Sequence, residues 1–179
     1  MKRQVLGRIL MTAALAAGAT IAATPNDADL AKSVRHEILM SSRYTLWDDI
    51  NFRVNGGNVE LLGSVSQPYK KQDIGRLVQR VPGVASVTNE LKVLPLSPFD
   101  DRLRLQVARA IYSDPVLSRY GMGAVPSIHI IVDNGRVTLT GAVGTQAEKQ
   151  IAGMRASGAG LGFGPVVNNL SVDQPARKG

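Results

Sequence analysis

Alternating apolar residues mark the same short element twice. In VNGGNVELLGSV (54–65), Val59, Leu61, Gly63 and Val65 recur 78 positions later as Val137, Leu139, Gly141 and Val143 of VDNGRVTLTGAV (132–143). A two-residue period predicts a strand with one buried face. The preceding dipeptides, Gly56-Gly57 and Asn134-Gly135, tolerate positive φ, so each stretch reads as a β-hairpin. The incoming strands alternate too, with Ile50, Phe52 and Val54 on one parity of the first and Ile128, Ile130 and Val132 on one parity of the second. The other parity carries Asn51, Arg53 and Asn55, then His129, Ile131 and Asp133. It is mostly polar, which predicts a water-facing outer sheet face on which Leu62 and Ile131 are scattered apolar residues or, alternatively, part of a domain–domain contact.

A period of four precedes each hairpin. Leu30, Val34 and Ile38 match Leu103, Val107 and Ile111 at an offset of 73, which predicts a helix in each place. The longer offset at the hairpin puts extra residues into the second copy's loop, 112–126, which holds Pro115, Gly121, Gly123 and Pro126. After the hairpins, Ile74, Leu77, Val78 and Val81 predict a second helix, and Ala147, Ile151 and Met154 repeat it more weakly. A third strand follows: Val87, Asn89, Leu91 and Val93 are echoed by Val166, Asn168, Leu170 and Val172. Asn89 and Asn168 fall on the inward parity, where their amides are expected to satisfy loop backbone groups. The fold class is therefore α+β: two tandem αββαβ modules, each a small three-stranded mixed sheet with two helices on one face. The expected domains are 25–94 and 97–173, joined by the short proline-bounded PLSP link (95–98), with a flexible tail at 174–179.

Composition narrows the chemistry. The 179 residues include no cysteine, which excludes disulfides, thiolate catalysis and cysteine-based zinc sites. Aromatic residues make only 4%, which argues against a large aromatic-lined pocket. Lys2, Arg3 and Arg8 precede an apolar run from Ile9 to Ala23 that is too short to span a bilayer. Residues 1–23 read as a secretory signal peptide cut between Ala19 and Ala23, which predicts a periplasmic protein. The net charge of +7 falls to +4 without those three cations, a weak preference for anionic surfaces and no indication of nucleic acid.

The motifs NGxVxLxGxV at 134–143, its looser copy at 56–65, VPGVxxVxNxL at 81–91 and VVNNL at 166–170 resemble the BON domain, named for bacterial osmotically induced periplasmic and nodulation proteins. An export signal followed by two such units is similar to the osmotically induced periplasmic proteins of that family. The second copy departs from the pattern where AGLGFGP (159–165) replaces the compact VPGV turn. Gly63 and Gly141 are expected where missing side chains let backbone pass closely.

No catalytic, metal or cofactor constellation emerges. His36 and His129 lack ligand partners at useful spacing, no nucleophile elbow is present, and Gly158 to Gly164 follows a helix instead of preceding one, unlike a phosphate cradle. Asp48-Asp49 and Asp100-Asp101 read as loop and helix-start charges. What remains is a surface. With Leu103, Val107 and Ile111 inward, Leu105 lies opposite, beside Arg102 and Arg109, with Arg104 on a flank. The next loop adds Leu117, Arg119 and Tyr120; the alternative is that Leu117, Tyr120 and Met122 cover their own core and the arginines are simply solvated. Arginines around apolar residues suit a lipid headgroup layer, and the resemblance implies the same option, since some two-unit relatives are thought to bind anionic phospholipid. Two non-enzymatic roles follow: an envelope stress protein that binds anionic phospholipid or envelope components, or a protein-binding, chaperone-like module using exposed sheet edges. Oligomeric state is not legible.

Overall fold

A computed structural model of the chain describes residues 26–123, 125–160 and 162–173. The expected signal peptide and tail lie outside the described residues. In the first unit, α1 (Asp27–Met40) is followed by β1 (Asp49–Asn55), β2 (Asn58–Val65), α2 (Pro68–Gln79), β3 (Ser86–Asn89) and β4 (Lys92–Val93). The second repeats the order with α3 (Pro98–Tyr112), β5 (Ile128–Asp133), β6 (Arg136–Val143), α4 (Gln146–Gly158), β7 (Val167–Asn168) and β8 (Ser171–Val172), with a 3-10 turn at Ser118–Gly121. β1 runs antiparallel to β2, and β3 and β4 run parallel to it; β5 to β8 repeat the pattern. Each sheet is therefore mixed, as expected.

Helix starts follow local chemistry. Asn26 caps α1 by accepting from the Asp29 N–H at 2.8 Å, and Ser97 caps α3 ahead of Pro98. A first-turn carboxylate then reaches across to each hairpin. Asp27 accepts from the N–H groups of Gly56 and Gly57 at 2.9 and 3.3 Å, and Asp100 from those of Asn134 and Gly135 at 3.0 and 2.8 Å. Asn134 sits at φ 51° and Gly135 at φ 77°, so successive amides turn toward one carboxylate. Asp100 is thus a buried clamp as well as a helix-start charge.

The expected single third strand is broken in two, and an asparagine breaks it. Asn89 donates from Nδ2 to the Lys71 carbonyl of α2 at 2.7 Å and accepts the Leu91 N–H at 3.3 Å. Asn168 does the same with Lys149 of α4 and Leu170. Both amides thus serve helix backbone and, as expected, backbone of the short link that follows their own strand. Each requires a glycine on the facing helix: a Cβ at Gly75 or Gly153 would lie 2.7 or 2.8 Å from the amide nitrogen.

Two aliphatic cores result. Leu30, Val34, Ile38, Leu61, Ile74 and Leu91 anchor one; Leu103, Val107, Ile111, Ile130, Leu139 and Leu170 anchor the other. Each such side chain contributes about 1.5–3 kcal/mol on burial. On α4 the inward face is Glu148, Ala152 and Ala156, with Ile151 partly buried and Met154 66% exposed. The expected stripe of Ala147, Ile151 and Met154 lies one to two positions short of the buried one, because small alanines give little periodic signal.

The outer face of the second sheet is not free. His129 and Ile131 are buried, contrary to the expected water-facing surface, and β5 is covered along nearly its whole length. The α1–β1 loop of the first unit covers it. Tyr44 stacks on His129 with centroids 5.0 Å apart, Ile130 donates its N–H to the Leu46 carbonyl at 2.8 Å, and Leu46 and Trp47 pack against the second core. Lys92 and Asp133 add an ion pair at 2.5 Å. Trp47 is therefore a packing residue between units.

Candidate functional site

Buried polar groups gather at the loop–helix junction of each unit. Asp48, fully buried, accepts from the Thr45 N–H and hydroxyl at 2.9 and 2.7 Å and from the Ser66 N–H and hydroxyl at 2.7 and 2.8 Å. Lys70 Nζ meets the same carboxylate at 2.6 Å and the Ser66 hydroxyl at 3.0 Å. A serine beside a lysine suggests a nucleophile and its base, but the geometry opposes it. The Ser66 hydroxyl donates to Asp48, and Lys70 Nζ donates to both Asp48 and Ser66, so the lysine is placed as a donor to the serine and not as an acceptor of its proton. The cluster ties the loop to the start of α2. The second unit uses the matching position with reversed charge: Glu148 accepts from Arg119, from the Tyr120 hydroxyl at 3.0 Å and from the Thr145 hydroxyl at 2.9 Å. Burial pushes the Glu148 carboxyl up, but Thr145, Tyr120 and Arg119 outweigh it and leave it below the usual carboxylate range.

Asp114 follows the same logic in the loop after α3. The Val116 N–H and Arg155 hold its carboxyl below the usual range. Among the described residues no group of histidines and carboxylates is placed to hold a metal.

His129 is the buried titratable group between units. Its Nδ1 lies 3.2 Å from the Thr45 carbonyl and its Nε2 3.2 Å from the Tyr44 hydroxyl. A neutral ring protonated at Nδ1 satisfies both: it donates to the carbonyl and accepts from tyrosine. Burial lowers its pKa, partly opposed by the Thr45 carbonyl, Asp49 and Asp48; burial also raises the Tyr44 hydroxyl to about 12. Unfolded histidine binds protons more readily than His129, so the contact is fully present above the ordinary histidine pKa of about 6.5 and is lost as pH falls below it. The melting temperature should therefore fall more between about pH 7.5 and 5.5 for the parent than for His129→Phe, which keeps the stack but cannot titrate. Equal losses would show that this ring does not sense pH.

The sequence-predicted surface residues divide. Arg102, Leu105 and Arg109 lie exposed on one face of α3, with Leu105 49% exposed. Two members do not join them. Arg104 is buried, donating to the Val132 carbonyl at 2.8 Å and pairing with Asp101 at 2.5 Å; it holds α3 against the end of β5. Leu117 is fully buried, because the loop after α3 folds back over the core. Arg119 and Tyr120 are occupied with Glu148, although the Arg119 side chain remains 61% exposed. The sequence reading missed the buried carboxylates. A cleft of about 700 Å3 also separates Arg35, Leu39 and Ile50 of the first unit from His129, Thr140 and Ser171 of the second.

Two small αββαβ modules, docked through a loop, define a tandem α+β class of protein. The BON domain model matches residues 26–95 and 100–174, and the chain belongs to the BON domain family, whose members are envelope-associated, non-catalytic binding modules. No curated protein matches the chain. Among solved structures, the chain is similar to the C-terminal domain of CdsD, the structural protein of the type III secretion system of Chlamydia trachomatis, at 15% identity and a TM-score of 0.30, covering 80% of this chain and 64% of that one. A second structure of CdsD gives 16% identity and a TM-score of 0.30, covering 83% of this chain and 94% of that one.

Proposed function

We propose that this chain is a non-enzymatic periplasmic protein of the envelope-stress type, whose second unit engages anionic phospholipid through the outward face of α3. The observation that supports this reading is the exposed stripe of Arg102, Leu105 and Arg109. Among the described residues neither Arg102 nor Arg109 has a carboxylate within ion-pair distance. Free guanidinium groups can take lipid phosphates bidentately while Leu105 enters the headgroup layer. Arg119 sits on the neighbouring loop, where Glu148 already offsets its charge.

Each arginine near an anionic surface contributes about 1 kcal/mol, and salt screens that attraction. The full chain should float with phosphatidylglycerol vesicles at low salt, less at high salt, and not with neutral vesicles. Replacing Arg102, Leu105 and Arg109 with serine should weaken binding at least about tenfold. Equal binding to neutral vesicles, or full retention by the triple variant, would end this reading.

A further inference from the structure

The two units present the same strand edge in different states. Ile128, Ile130 and Val132 of β5 are completely buried beneath helix and loop. Their repeats on β1, Ile50, Phe52 and Val54, are only partly buried. The difference is the loop carrying Tyr44, Leu46 and Trp47, which lies along β5. That loop belongs to the first unit and cannot also cover β1.

The direction of the free backbone groups follows from the repeat. Ile130 sends its N–H away from β6, to Leu46. Phe52 occupies the matching position, so the N–H and C=O groups of Ile50, Phe52 and Val54 face the open side while Asn51 and Arg53 pair with β2. Natural edges are protected by lysine, proline, a bulge or short length. β1 reads DINFRVN over seven residues, with neither lysine nor proline and no positive φ. Its start borders the open cleft instead of packed protein.

We propose that the free edge of β1 is a self-pairing surface, and that two copies of this chain join by antiparallel β1–β1 pairing centred on Phe52. The register is self-complementary. Ile50 faces Val54 of the second copy and Phe52 faces its own copy, so the outward N–H and C=O groups meet in hydrogen-bonded pairs and the two partly buried apolar rows close on each other. On the outer face Asp49 meets Asn55, and Asn51 meets Arg53, whose charge Glu60 already offsets at 3.3 Å. A two-residue slip in either direction shortens the pairing, and one of the two also sets Arg53 against Arg53.

Asn51 and Arg53 of opposite copies would form a non-hydrogen-bonded pair, with Cα atoms about 4.5 Å apart, a separation that suits a disulfide. Both are exposed, and the chain has no cysteine of its own. Full-length Asn51→Cys and Arg53→Cys chains, mildly oxidised, should cross-link when mixed at least about tenfold more than either does alone. The parent should show concentration-dependent dimer by sedimentation velocity. Val54→Pro, which removes an outward N–H and no bond to β2, should be monomeric with an unchanged circular dichroism spectrum. A parent that stays monomeric at all concentrations, or cross-linking by Asn51→Cys alone equal to the mixture, would overturn the proposal.

Discussion

Replacing Lys70 with methionine is expected to destabilise the first unit by about 3–5 kcal/mol, because it strands the Asp48 carboxylate without a cation in a site closed to water. The remaining donors, from Thr45 and Ser66, are neutral. A buried charge without its counter-ion costs far more than the pair itself contributes. The double variant Asp48→Asn with Lys70→Met should therefore recover a large part of the loss. Glu148→Gln should cost clearly less than Lys70→Met, because its cationic partner Arg119 stays largely in solvent while Lys70 is buried. Urea unfolding of the full chain tests the set. A Lys70→Met loss below about 1 kcal/mol would show that Asp48 is solvated in solution.

The same cluster shows what a single sequence reveals and conceals. Leu30, Val34 and Ile38, or Val137, Leu139 and Val143, are legible because apolar burial imposes a period on the chain. Asp48 carries no period, and its link to Lys70 joins a loop to a helix start. One signal was available: Lys70 lies four residues before Ile74 and eight before Val78, on the buried face of α2, and Glu148 stands likewise before Ala152 and Ala156. A charge in phase with a core stripe is a candidate for burial with a partner.

The sequence leaves the docking of the units open, as one of two readings of Leu62 and Ile131, for a different reason. Alternation assigns residues to a face but not to what covers that face. His129 and Ile131 were placed correctly on the outer parity of β5, and the covering came from Tyr44 to Trp47 in another module. The surface site divided along similar lines. Helical phase placed Arg102, Leu105 and Arg109 outward, as found. It could not reveal that Arg104 reaches back to the end of β5, nor decide between surface and core for Leu117, which lies in an aperiodic loop and fills the core.

Gly141→Ala should be the most damaging single-atom-scale change in the second unit, with a loss of at least about 3 kcal/mol. Gly141 lies within β6 opposite Ile128, at φ 104°, where L residues are strained. A Cβ there would lie 2.0 Å from the Ser127 carbonyl oxygen, and that oxygen accepts the Ala142 N–H at 3.0 Å. The neighbour is backbone, so no side chain can swing aside. Relief requires β5 to move away from β6 at the end that carries His129, and so disturbs the contact with Tyr44 as well. Gly63→Ala should act alike, its Cβ 2.1 Å from the Asp49 carbonyl at the same φ, but its strain falls on β1, beside buried Asp48. Gly158→Ala is the control. It ends α4 without positive φ, and nothing lies within 4 Å of its added Cβ. It should be neutral or stabilise by up to about 1 kcal/mol, through loss of unfolded-chain entropy. Thermal melts of the three variants decide the matter. If Gly141→Ala melts within about 2 °C of the parent, the close backbone crossing is not a constraint in solution, and the geometry that presents β5 to the first unit has another cause.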